Sequence, residues 1–142
     1  MSGRALVIGL LAFAVLFGAG LWYAQVYAYY DRVDGLDAVL IGGVAVPVSD
    51  YRGLDGASSP LKLRGCFRLD PAAVIAPDAP NPAPLSTPGW FDCFDPEAIA
   101  ADIAAGRARA VIAAENEPAG FIRIVAFRPD GRAFQWRQTE LD

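Results

Sequence analysis

The segment Ala5–Tyr30, ALVIGLLAFAVLFGAGLWYAQVYAYY, limits what this chain can become more than any other part of it. It holds 26 positions without a charged side chain, and Gln25 is its only strongly polar group. A helix rises about 1.5 Å per residue, so roughly 20 apolar residues cross a hydrocarbon core of about 30 Å. Ala5–Ala24 supplies that span. Trp22, Tyr23, Tyr27, Tyr29 and Tyr30 crowd its C-terminal end, where amphipathic rings favour the headgroup layer. A cleaved signal peptide is the rival reading, with Val26-Tyr27-Ala28 as its small-residue site. The apolar run exceeds the h-region of about 7–15 residues. An uncleaved anchor over residues 1–30 is therefore expected.

Charge sets the expected orientation. Arg4 precedes the run, and Asp31, Asp34 and Asp37 follow it with a single Arg32. The positive-inside rule puts residues 1–4 in the cytoplasm and the rest outside, in the periplasm of an inner-membrane protein. All 16 acidic residues but only 11 of the 12 basic ones lie after Tyr30, so the exported part carries about −5. That balance disfavours nucleic acid or anionic lipid as the main partner. Small residues recur at four-residue spacing along the span, as in Gly20, Ala24 and Ala28. Such a face lets a second helix approach closely.

Beyond the membrane, residues 31–37 read as a polar linker and 38–142 as one α+β domain. Ala38–Ile41 and Val44–Val48 are β-branched runs around Gly42-Gly43, a hairpin signal. Residues 49–60 read as loop. Leu61–Leu69 alternates as a strand, with Leu61, Leu63 and Gly65 on one face. Asp70-Pro71 opens a short helical turn. Pro77–Pro88 holds five prolines in twelve residues and must run extended. Asp95 caps a helix that starts at Pro96 and stops at Gly106. Ala108–Ala114 is a strand, and Phe121–Arg128 and Arg132–Gln138 flank the turn signal Pro129-Asp130-Gly131. Grouped strands with one main helix predict a small antiparallel sheet of about five strands. Core positions are expected at Leu40, Val46, Leu63, Phe67, Trp90, Phe94, Ile99, Ile103, Val111, Phe121, Ile124, Phe127 and Trp136.

Cys66 and Cys93 are the only cysteines. In a small exported domain such a pair forms a disulfide, and closing a loop of roughly 28 residues contributes about 3–4 kcal/mol. The chain has no histidine, which removes Ser-His-Asp and Cys-His catalysis and most zinc sites. It has no phosphate-binding or dinucleotide glycine motif, and no cofactor is expected. Asp92, Asp95 and Asp102 are the carboxylates placed for a cation or small ligand. Arg64, Arg68, Arg123 and Arg137 are placed to line one strand surface and hold an anion.

The run Leu61–Phe67, the block Ser86–Asp95 with its Pro-Gly-Trp-Phe-Asp-Cys-Phe core, and Asp130-Gly131-Arg132 with Trp136 resemble a family of small bacterial single-pass membrane proteins. That family is catalogued only as a domain of unknown function. Some of its members carry an automatic histidine kinase label, which a chain without histidine and without room for an ATP-binding domain contradicts. Related chains often have His where this one has Arg137. The resemblance implies the architecture and adds no mechanism.

Two functional readings follow. The leading one is a membrane-tethered, non-catalytic interaction module, an accessory or assembly subunit of an inner-membrane complex. Its partner would be met through Leu85 in the Pro-rich segment, Trp90 beside it, and the Gly20, Ala24, Ala28 face. The other is a tethered periplasmic domain that binds a small ligand or cation through Asp92, Asp95 or Asp102.

Overall fold

A computed structural model describes residues 2–24 and 30–140. The chain divides into two units, Met1–Tyr30 and Asp31–Asp142. In the first, helix α1 spans Gly3–Tyr23, capped by the Ser2 hydroxyl accepting from the Ala5 amide at 3.2 Å. It has 21 residues, about 31 Å of rise, and no buried side chain. Phe13 and Phe17 stack one turn apart. Among the described residues it is the one helix long and apolar enough to cross a membrane.

The second unit is α+β, as expected, and where about five strands were expected the described residues form seven, all antiparallel: β1 Asp31–Asp34, β2 Ala38–Ile41, β3 Val44–Asp55, β4 Arg64–Leu69, β5 Arg109–Ala114, β6 Phe121–Phe127 and β7 Arg132–Thr139. The sheet order is β1-β3-β4-β7-β6-β5, and β2 pairs with β3 off this path. Strand β1 and the second half of β3 were not expected from sequence. Asp31–Asp34 carries only Val33 as an apolar signal, yet it pairs with Arg52–Asp55. Residues 49–55 look like loop because a register shift between Ser49 and Arg52 breaks their alternation. Expected strand 61–69 begins only at Arg64, since Pro60–Lys62 forms a 3₁₀ turn capped by Ser59.

One face of the sheet packs under the β2–β3 hairpin. Val39, Ile41 and Val46 from the hairpin meet Tyr51, Phe67, Val111, Val125, Phe127 and Ala133. Both turn glycines have positive φ, 63° at Gly42 and 81° at Gly43, the geometry of a tight two-residue hairpin. The Gly42 amide donates to the Ala113 carbonyl. Leu40, expected in the core, points out at 57% exposure, while Val39 and Ile41 point in. A period of two makes that choice all or nothing. Trp90, Ile103 and Phe121 are half-buried rather than fully interior; the other expected core residues are buried.

The opposite face takes Trp136, Phe134, Cys66 and Ile124 under the aromatic turn and helix α2, Pro96–Ala104. The Phe94 ring meets Phe134 and Trp136 edge-on, with centroids 6.1 and 6.0 Å away. The Pro-rich segment is tied down along its length. Pro77 and Ala79 bond to Ile112 and Ala110 on the outer side of β5. Farther on, the buried Gln138 amide donates to the Asn81 carbonyl and accepts from the Ala83 amide.

Candidate functional site

The aromatic turn is built around its cysteine. Phe91 and Phe94 are 3% and 2% exposed, so their burial fixes the backbone that carries Asp92 and Cys93. Cys93 is joined to Cys66 of β4, with Cα atoms 6.3 Å apart. Asp95 then caps α2, its carboxylate accepting from the Glu97 and Ala98 amides at 3.1 Å each. These elements and the neighbouring ends of β3, β4 and β7 enclose an open cleft of about 420 Å³. Its floor is the disulfide with Phe134 and Ile99. Its rim carries Arg52, Arg68, Arg128 and Arg132 against two carboxylates, Asp50 and Asp95.

The four arginines differ in how firmly they are held. Arg128 is mostly buried, lies 5.4 Å over the Phe134 ring and pairs with Asp102 at 2.5 Å. Arg52, Arg68 and Arg132 are about half exposed. Their carboxylate partners are exposed side chains at longer range: Asp92 at 3.4 Å, Asp50 at 4.0 Å and Asp130 at 3.5 Å. Arg68 and Arg132 are direct cross-strand partners.

A second charged group sits on the other face. Arg123 and Arg137 are also direct cross-strand partners, but Glu117 lies between them, 3.2 Å from the first and 2.7 Å from the second. Arg123 also donates to Gln135 at 2.9 Å and to the Leu40 carbonyl at 2.6 Å. Gln135 in turn donates to the Tyr51 hydroxyl at 2.6 Å. Burial works to raise the Glu117 pKa, yet the two guanidinium groups outweigh it and hold the carboxyl below its ordinary value. Burial pushes the Tyr51 phenol up, partly offset by the Gln135 bond. The Tyr51 ring fits because Gly53 and Gly65 face each other across β3 and β4. A Cβ on either would stand 2.6–2.7 Å from that ring or its oxygen.

The model of the Family of unknown function (DUF6446) matches residues 40–141, most of the second unit and both cysteines. The chain belongs to that family. No curated protein and no solved structure matches it. In this DUF6446 domain the expected Cys66–Cys93 bridge is formed.

The three carboxylates singled out in sequence have separate surroundings. Asp95 is the helix cap. Asp102 accepts from Arg107 at 2.9 Å and pairs with Arg128. The Arg107 bond, opposed by burial and helped by Arg128, holds its carboxyl below the usual range. Asp92 is exposed beside Arg52. Among the described residues no group of three His, Cys, Asp or Glu is placed to hold a metal ion.

The four arginines expected on one surface divide between the two faces. Arg123 and Arg137 lie on the hairpin side. Arg64 is 4% exposed and donates to the Leu61, Leu63 and Ser86 carbonyls, which pins the turn and the end of the Pro-rich segment. Arg68 alone opens on the cleft. Leu85 is half-buried, and the half-buried Trp90 carries the Arg32 guanidinium 4.8 Å above its ring. A Cβ on Gly20 would meet nothing within 4 Å. Ala24 is half-buried, and Ala28 lies outside the described residues. Sequence reasoning missed Arg52, Arg128 and Arg132 as cleft residues. Only the β4–β7 register brings Arg132 to Arg68, and those strands are far apart in the chain.

Proposed function

We propose that this chain is a non-catalytic interaction module held at a bacterial inner membrane by α1. Its disulfide-closed domain stands in the periplasm and serves as an accessory or assembly subunit of a membrane protein complex. The observation that carries this reading is α1 itself: 21 residues, uncharged after Arg4, with no side chain buried in their own unit, a surface that needs lipid or another helix as cover. The disulfide fits an oxidising compartment. The structural duties of Asp95 and Asp102 speak for a scaffold rather than for acid–base chemistry.

Co-purification of the full chain in mild detergent tests the proposal. A stoichiometric membrane protein is expected. It should be lost when Gly20→Leu blocks the small-residue face, or when Asn81–Leu85 is replaced by Gly/Ser with both cysteines kept. Recovery of the chain alone from the membrane would overturn the reading.

A further inference from the structure

The sheet contains two directly opposed arginine pairs, one on each face, and only one of them is bridged. Like charges placed directly opposite across a strand pair destabilise it. Between Arg123 and Arg137 the Glu117 carboxylate answers both charges. Between Arg68 and Arg132 no acidic side chain among the described residues lies within ion-pair distance of both. Asp50 reaches only Arg68, at 4.0 Å, and Asp130 only Arg132, at 3.5 Å.

We propose that the cleft over the disulfide binds a small organic phosphate monoester, whose phosphate takes between Arg68 and Arg132 the place that Glu117 takes between Arg123 and Arg137. Guanidinium groups present several N–H donors in a planar fork suited to phosphate oxygens. Both arginines are half exposed, so their forks are open to a ligand. Arg52 adds a third charge from the rim, and Arg128, fixed on Phe134 by Asp102, forms the wall. Each arginine already has a carboxylate partner, but those of Arg68 and Arg132 are exposed side chains 4.0 and 3.5 Å away, weak contacts that a phosphate in bidentate reach can displace. The Phe134 ring beside the disulfide accepts the apolar part of the ester. A volume of about 420 Å³ is of small-molecule size. The site stands whether or not a membrane partner is found.

The test uses the full chain in lipid nanodiscs of phosphatidylcholine. Melting is followed with phenyl phosphate, inorganic phosphate or chloride at matched ionic strength, which removes general screening. Phenyl phosphate should raise Tm more than inorganic phosphate, and chloride should not raise it. Arg68→Gln/Arg132→Gln should weaken phenyl phosphate binding about tenfold or more. Without ligand, that variant should melt no lower than the parent, because the opposed charges are gone. Arg68→Lys keeps the charge but loses the fork, so it should bind weakly while remaining folded; it serves if the double variant does not fold. Arg109→Gln, at the far edge, should bind as the parent does. Nanodiscs containing phosphatidic acid identify the source. If the phenyl phosphate shift disappears there, a lipid headgroup occupies the cleft; if it persists, the ligand is free in solution. Equal shifts with chloride, or an unchanged shift in both Arg68 variants, would overturn the proposal.

Discussion

Glu117 neutralises two arginines from a position about one-third exposed. Breaking a fully buried ion pair costs about 3–5 kcal/mol. Water access here tempers that figure, and Glu117→Gln is expected to cost about 2 kcal/mol in chemical denaturation. The sign of its pH dependence follows from the lowered folded-state pKa. Below the ordinary glutamate value of 4.5 the unfolded chain takes up a proton before the folded chain does. The contribution is therefore whole above that value and is lost as pH falls through it and below. Stability measured from pH 7 down to pH 3 should decline more steeply for the parent than for Glu117→Gln; parallel curves would refute the assignment. Gly65→Ala should also destabilise. Its Cβ would stand 2.7 Å from the Tyr51 oxygen and 3.0 Å from Gln135 Cγ, so the Gln135–Tyr51 contact must shift.

At the scale of elements, the middle of the Pro-rich segment is held by one side chain from β7. Gln138 is 2% exposed and bonds Asn81, Ala83 and the Trp136 indole. Gln138→Ala should cost about 1–3 kcal/mol by leaving those groups unpaired. Hydrogen exchange should speed up first at residues 79–86, and uniform acceleration would show that the clasp is not local. The Cys66–Cys93 bridge encloses the same segment, and Cys66→Ser/Cys93→Ser should cost about 3–4 kcal/mol. Much of this element order was legible in sequence. The Asp95-Pro96 cap, Gly106 stop, Gly42-Gly43 hairpin and Pro129-Asp130-Gly131 turn are local signals, and each marks a real boundary. Asp31–Asp34 and 49–55 were not legible, because their strand character comes from pairing with each other rather than from alternation. The cleft was legible only in part, through Arg68 and the cysteines. Arg132 joins them by a register that no local pattern records.

For the whole molecule, α1 and the charges around it predict the side on which the domain stands. With Arg4 before the helix and Asp31, Asp34 and Asp37 after it, a C-terminal phosphatase fusion should be active and a fluorescent fusion dark. The opposite pattern would reverse the topology, and a mature N-terminus at Tyr29 would remove the anchor. The bonds from Pro77 and Ala79 to β5 gain a further meaning once the chain is confined to a surface. Tethering raises the rate at which copies meet, and an open strand border is a template for joining one copy to the next. Proline there supplies carbonyls but no amide hydrogens, so the added segment can itself recruit few further strands. Its deletion should leave a sheet that grows by cross-linking of neighbours in the plane of the membrane, where crowding is greatest.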